Sequence, residues 1–174
     1  MQATLKKMVA FQGVGLHSGA PARLEIHPAP AGHGIVFRRT DLSPAVDIPA
    51  RWDHVRPSKL CTLMDDGKGT TLSTVEHVMA ALAGTGIHNA LVKVDGPEVP
   101  ILDGSAAPFV RGILRAGIAL QQADLRAIRV LRPVEVREGE AFARLTPAGH
   151  LEIEFQIDFA DAAIGHQEKR LDMA

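Results

Sequence analysis

Short stretches in which apolar and polar residues alternate lie on both sides of two helix-like segments, and this limits the folds open to the chain. Residues 151–157 read Leu-Glu-Ile-Glu-Phe-Gln-Ile, the strict period of two that is typical of a strand with one buried face. Similar segments predict strands over 22–27, 35–39, 46–50, 60–64, 89–94, 128–137 and 141–145. Helices are predicted only over 74–84 and 105–116. This order favours an α+β fold, a sheet layered on helices.

The polar segment 117–127 is the candidate boundary between two domains. We predict a first α+β domain over 1–122 and an incomplete start of a second, similar domain over 123–174. With 46% apolar residues in 174, the chain has ample material for a core. The strands after the boundary would lack a helix layer over one face, so we expect residues beyond about 159 to be poorly ordered or rearranged.

Charge and composition exclude several classes of partner. The formal net charge of −1 gives no general attraction for nucleic acid. Arg38, Arg39, Arg51 and Arg56 are either a local basic patch or ordinary solvated surface charge. Cys61 is the single cysteine, so no disulfide forms within the chain and a reducing compartment is expected. Without an apolar run near ~20 residues or a signal-peptide core, we predict a cytoplasmic protein with no integral membrane segment.

The stretch Thr70 to His77 places a carboxylate, Glu76, beside an imidazole, His77, at the start of the Ala-rich helix. Adjacent helical residues point about 100° apart, so the pair cannot chelate one ion as residues four apart can. His77 can hold an ion while Glu76 reaches its water, which suggests hydrolysis. The alternative is structural, because Ser73 and Glu76 also fit the S-x-x-E capping box of a helix start.

Three other positions also have a structural and a functional interpretation. The Gly-rich segment 13–19 is followed by Pro21 and a predicted strand, so a hairpin turn is favoured over a phosphate-binding loop. Asp103 precedes Gly104, which favours an Asx turn over an active-site carboxylate, with Ser105 as the N-cap of the next helix. Cys61 by itself indicates only a small buried apolar residue.

Five segments, in this order and at these separations, closely resemble the UDP-3-O-acyl-N-acetylglucosamine deacetylases, the zinc amidases that commit bacteria to lipid A synthesis. They are GVGLHSG at 13–19, RRTDL at 38–42, STVEH at 73–77, AALAG at 80–84 and DGSAAPF at 103–109. The resemblance runs from about Thr4 to the chain end and thins after Leu131. It implies two similar α+β domains with zinc between them, and hydrolysis of the N-acetyl amide of a UDP-3-O-(3-hydroxyacyl)glucosamine.

The resemblance also assigns roles to residues of this chain. Glu76 matches the family's general base and His77 matches one of its zinc ligands. Leu60 and Cys61 correspond to positions that border the substrate passage, and His17 corresponds to a residue near the metal. The implied cofactor is Zn²⁺ and the implied partner is the small-molecule UDP-acylglucosamine substrate.

The family's other two zinc ligands, a His and an Asp four residues apart, lie further along the family's sequence than residue 174, and no H-x-x-x-D, H-x-x-x-H or H-x-x-E-H pattern replaces them here. We therefore expect the isolated chain to be inactive unless a missing C-terminal half is supplied. Two alternatives stay open: a non-catalytic fragment or interaction module derived from that enzyme, and a different zinc amidase acting on another acylated amino sugar.

Overall fold

The computed structural model describes residues 1–173, which fall into two compact units, one over Met1–Leu125 and one that begins at Arg126. The first unit is α+β, as predicted. The predicted domain limits, 1–122 and 123–174, concern independent folding and stay a prediction.

The first unit contains ten strands, two α-helices and one 3-10 turn. The strands are β1 (Gln2–Leu5), β2 (Val9–Val14), β3 (Pro21–Pro28), β4 (Ile35–Arg39), β5 (Val46–Pro49), β6 (Val55–Arg56), β7 (Leu63–Asp65), β8 (Thr71–Ser73), β9 (Ala90–Val94) and β10 (Ile118–Gln121). The helices are α1 (Glu76–Gly84) and α2 (Ala107–Ala116), and the 3-10 turn is Trp52–His54. The main sheet has the order β2-β3-β9-β4-β5, with only β4 and β9 parallel, and two smaller sheets pair β1 with β10 and β6 with β7 and β8.

The main sheet has one buried face and one face toward water. In β3, Leu24 and Ile26 are fully buried, while Arg23, Glu25 and His27 on the other face form a row of ion pairs. This is the alternation that a one-sided sheet requires. The predictions for β3, β4 and β5 are confirmed within a residue at each end.

Both helices contribute an apolar stripe to the core. Phe109, Ile113 and Ala116 of α2 are buried at helical spacing, and the Phe109 ring lies 4.9 Å from that of Phe11 on β2. Gly112 is required there, because a Cβ would lie 2.4 Å from the Phe11 ring. In α1 the residues that face the same core are Val78, Ala81 and Leu82.

The predicted start of α1 at Thr74 and its capping box are wrong. The helix begins at Glu76, and no side chain caps its first turn. Ser73 Oγ donates instead to the Pro97 carbonyl oxygen at 3.2 Å, because Ser73 belongs to a strand that is pinned to the 97–99 segment. Ser105 lies one residue outside the N-cap position of α2, and its hydroxyl accepts a hydrogen bond from the Ala107 N–H.

Two further predictions differ from the structure. The strand predicted over 60–64 is β7, so Leu60 and Cys61 lie before it. Within the predicted connection 117–127, Ile118–Gln121 forms β10 and pairs with β1. A partner more than a hundred residues away leaves no mark on the local pattern.

The second unit consists of two hairpins. They pair β11 (Val134–Glu138) with β12 (Ala141–Leu145), and β13 (Glu152–Asp158) with β14 (His166–Asp172). The expectation of poor order beyond about residue 159 is wrong, since β14 pairs with β13 along its whole length. The alternative expectation, that these residues are rearranged, stays a prediction. The apolar positions of these strands stay in contact with solvent, as at Val136 (69% exposed) and Phe155 (57% exposed).

Candidate functional site

The start of α1 is hydrogen-bonded to the segment that precedes β7. The Thr62 carbonyl oxygen accepts from Thr74 N–H at 3.1 Å, and Thr62 N–H donates to Glu76 Oε2 at 3.2 Å. The Glu76 carboxylate is half-buried. Its direction is therefore fixed by backbone from a different element.

His77 follows Glu76 in the first turn of α1 and is half-buried. Within residues 1–173 no side chain or backbone group hydrogen-bonds to its imidazole. The ring nitrogens of His77 are therefore open to a ligand, which is what a metal-binding or substrate-binding histidine needs.

Glu98, which the sequence did not indicate as a site residue, is buried next to Thr74, just before α1. Only 3% of the residue is exposed. Oε1 accepts from His17 N–H at 2.9 Å and from Thr74 Oγ1 at 3.0 Å. Oε2 accepts from Ser18 N–H at 2.9 Å and from Ser18 Oγ at 2.6 Å. We call Glu98 and its partners His17, Ser18 and Thr74 the Glu98 cluster.

The ionised form of Glu98 is the form that this cluster stabilises. Burial alone raises the pKa of the carboxyl group, but the hydrogen bonds from His17, Ser18 and Thr74 outweigh burial and lower the pKa from 4.5 to about 2. A buried carboxylate with four donors is a rigid junction between the segments that supply them. Here those segments are the 15–19 loop and the entry to α1.

The Gly-rich segment is a hairpin turn between β2 and β3, as predicted, and the phosphate-loop alternative is wrong because a strand follows it. Gly15 accepts the Gly19 N–H through its carbonyl oxygen at 3.0 Å, which closes the turn. A Cβ at Gly15 would lie 2.2 Å from Glu98 Oε2 and 2.3 Å from Ser18 Oγ. The glycine thus allows the carboxylate to approach the backbone of the loop.

Thr74 and Leu102 have positive φ, at 61° and 55°. For a β-branched residue such as Thr this is a true conformational outlier, which persists only where surrounding contacts enforce it. Thr74 is 2% exposed and is held by Thr62 through its N–H and by Glu98 through its hydroxyl. Strain is therefore concentrated two residues before Glu76.

The residues predicted to contact substrate are placed around this point in different ways. Leu60 is 79% exposed. Cys61 is half-buried, with Sγ 3.4 Å from Ser58 Oγ, and lines an open depression together with Trp52, Val55 and Thr62. His17 is exposed, and its backbone N–H rather than its ring binds Glu98. Their contact with a substrate stays a prediction.

Asp103 has the structural role that was favoured for it. Its Oδ1 accepts from Ser105 N–H at 3.0 Å and from Ser105 Oγ at 2.8 Å, which is an Asx turn.

The interpretation of four arginines as a basic patch is wrong, since each is paired with an aspartate. The pairs are Arg38–Asp47, Arg39–Asp41, Arg51–Asp53 and Arg56–Asp65, at 2.5, 2.7, 2.7 and 3.4 Å. The hydrogen bond from the neighbouring arginine lowers the pKa of Asp41 and of Asp47. These arginines are neutralised locally.

His77 is the candidate metal ligand at the start of α1. His77 offers an open imidazole, the kind of ligand that zinc prefers. Among the described residues, however, no three His, Cys, Asp or Glu side chains are gathered closely enough to hold an ion. Within residues 1–173, no helix is long and apolar enough to cross a membrane.

Comparison with known proteins identifies the class to which this arrangement belongs. The sequence profile of the UDP-3-O-acyl N-acetylglycosamine deacetylase (LpxC) family matches residues 2–174. The chain belongs to this family, and the recognition made from its motifs is confirmed.

Individual relatives are similar over nearly the whole chain. The UDP-3-O-acyl-N-acetylglucosamine deacetylase of Vibrio vulnificus (strain YJ016) is 48% identical over 170 residues, covering 98% of this chain and 56% of the relative. That of Shewanella baltica (strain OS155 / ATCC BAA-1091) is 48% identical over 172 residues, covering 99% and 56%. That of Shewanella frigidimarina (strain NCIMB 400) is 47% identical over the same length. The chain thus spans about half the length of the curated relatives it matches.

Proposed function

We propose that this chain supplies the general base and one metal ligand of a zinc-dependent deacetylase. The proposed reaction is hydrolysis of the N-acetyl amide of UDP-3-O-(3-hydroxyacyl)-N-acetylglucosamine, the committed step of lipid A biosynthesis. The observation that carries the proposal is the pairing at the start of α1 of a backbone-held carboxylate, Glu76, with an open imidazole, His77. Membership of the deacetylase family gives the pairing its chemical context.

Glu76 is arranged to accept a proton. The Thr62 N–H donates to Oε2 and so orients the carboxylate, while Oε1 keeps its lone pairs for a water molecule. His77 would hold zinc through a ring nitrogen, with the remaining ligands supplied from outside residues 1–173. When bound, zinc polarises the amide carbonyl and makes a water more acidic.

The remaining parts of the proposal concern the setting of the reaction. The substrate is a small molecule, a UDP-acylglucosamine, whose path would pass Leu60, Cys61 and His17. The compartment is the cytoplasm. The 174-residue chain alone is proposed to be inactive, and its complement is the C-terminal half of a family member.

The test combines the purified chain with the portion of the Vibrio vulnificus relative that lies outside the matched region, produced as a separate polypeptide. Zinc content and acetate release from the UDP-acylglucosamine are measured for the chain, the complement and the mixture. We expect zinc binding and turnover in the mixture only. Glu76→Ala should keep zinc and reduce turnover by about 10²- to 10⁴-fold, and His77→Ala should lose zinc.

The matched controls change a carboxylate and an imidazole that lie away from α1. Glu25→Ala and His33→Ala are expected to leave zinc content and turnover unchanged, since Glu25 pairs with Arg23 and His27 on the sheet surface and His33 bonds only its own turn. Turnover by the chain alone, or undiminished turnover by the Glu76→Ala mixture, would contradict the proposal. A stable complex without acetate release would support the interaction-module alternative instead.

A further inference from the structure

Glu98 is the most enclosed carboxylate among the described residues, and the proposed reaction gives it no role. Its four donors come from two segments that are remote in sequence, the 15–19 loop and the entry to α1. The backbone around it is also fixed, because Ser73 N–H donates to the Pro97 carbonyl oxygen and Val99 N–H donates to that of Ser73. Glu98 therefore cannot move without moving the residues before α1.

A short chain of contacts leads from Glu98 to the proposed base. Glu98 Oε1 accepts from the Thr74 hydroxyl, Thr74 N–H donates to the Thr62 carbonyl oxygen, and Thr62 N–H donates to Glu76 Oε2. Thr74, the middle member, has the positive φ of 61°. A threonine leaves this conformation when the contacts that enforce it are removed.

We propose that Glu98 is a positioning residue: by holding Thr74 in its left-handed conformation, it sets the direction of the Glu76 carboxylate and fixes the His17 loop against the same point. Glu98 contacts neither substrate nor metal in this role. The inference rests on the proposed function for its catalytic meaning, but its structural content can be measured without turnover.

The positioning role differs from a purely local one in which Glu98 merely fastens the hairpin turn. A local role predicts effects at His17 and Ser18 alone. A positioning role predicts effects that also reach Thr62 and His77, which Glu98 does not touch. Two changes separate the roles. Glu98→Gln replaces one acceptor oxygen with an NH2 donor that would face other donors. Thr74→Val replaces the hydroxyl that donates to Glu98 with a methyl group of similar size.

The experiment measures amide chemical shifts and hydrogen exchange by NMR in the 174-residue chain, with thermal unfolding as a check of the fold. In Glu98→Gln we expect the amide hydrogens of His17 and Ser18 to exchange at least about tenfold faster than in the wild-type chain. We also expect the amide chemical shifts of Thr62 and His77 to change. In Thr74→Val we expect the shifts at Thr62 and His77 while the Ser18 amide stays protected. Thr74→Ser keeps the hydroxyl and should restore the original resonances of Thr62 and His77.

Asp95→Asn is the matched control, because Asp95 lies three residues from Glu98 and also accepts a backbone N–H, that of Arg23, but is exposed and outside the cluster. It should leave Thr62 and His77 unchanged. The proposal is overturned if Thr62 and His77 keep their resonances in both Glu98→Gln and Thr74→Val. If Glu98→Gln does not fold, the Thr74→Val and Thr74→Ser pair decides. A failed deacetylase assay would not change these NMR results, because they are measured without turnover.

Discussion

The two units are built from the same kind of strand but differ in what covers it. In the first unit, the strands alternate and two helices lie on the apolar face, so Phe37, Leu24 and Phe109 are fully buried. In the second unit, β13 alternates just as regularly, yet residues 126–173 include no buried position. Alternation thus specifies a strand and its two faces, whereas burial depends on a second layer.

The largest expected effect is a difference between the two units in the free energy that a matched Phe→Ala substitution costs. Phe37→Ala removes a fully buried ring and should lower the free energy of unfolding by about 3–5 kcal/mol. Phe155→Ala removes a ring that is 57% exposed and should cost less than about 1 kcal/mol. Urea denaturation measures both costs, followed by the NMR signals of Leu24 for Phe37→Ala and of Ile157 for Phe155→Ala. Equal costs would mean that Phe155 is buried in solution and that the contrast between the units is wrong.

Acid should expose the contribution of the buried carboxylate in the first unit. The folded pKa of Glu98, about 2, lies below its ordinary value of 4.5, so ionised Glu98 stabilises the fold above pH 4.5. This stability is lost as the pH falls from 4.5 to about 2, by up to about 3 kcal/mol. Stability curves over this range should be steeper for the wild-type chain than for Glu98→Gln. Parallel curves would show that folding does not lower the pKa of Glu98.

Local patterns were sufficient for much of the fold of the first unit. They predicted β3, β4 and α2, because alternation and helical spacing report which side chain faces the core. They missed β1 and β10, which are edge strands that depend on each other across the whole unit. The start of α1 was misplaced since Ser73 bonds Pro97, a partner that the S-x-x-E pattern does not contain.

The candidate site was predictable only in part, for a related reason. Glu76 and His77 are adjacent and belong to a recognisable motif, so the sequence alone indicated them. Glu98 was hidden because its partners lie 24, 80 and 81 residues away. One signal was present: a single carboxylate in the otherwise apolar run Pro97-Glu98-Val99-Pro100-Ile101-Leu102. A charge in such a run is buried only when donors surround it.

The smallest expected effect concerns the cation–π contacts in the β11–β12 hairpin, which has no buried core. In the β11–β12 pair, the guanidinium groups of Arg137 and Arg144 lie 5.0 and 5.4 Å from the centre of the Phe142 ring. Such contacts are worth about 0.5–1 kcal/mol at exposed sites. Phe142→Leu keeps an apolar side chain but removes the ring, so amide exchange across the β11–β12 pair should become about two- to fivefold faster.

The same substitution at Phe155 serves as the control, because no guanidinium covers that ring within residues 1–173. If Phe142→Leu in the β11–β12 pair and Phe155→Leu in the β13–β14 pair accelerate amide exchange equally in their own hairpins, the Phe142 ring stabilises its hairpin through its apolar surface alone. If only Phe142→Leu does, then cation–π contacts replace part of what a helix layer gives the first unit. The second unit would then be a pair of hairpins with stable strands and an open apolar face, rather than an unfolded extension of the first.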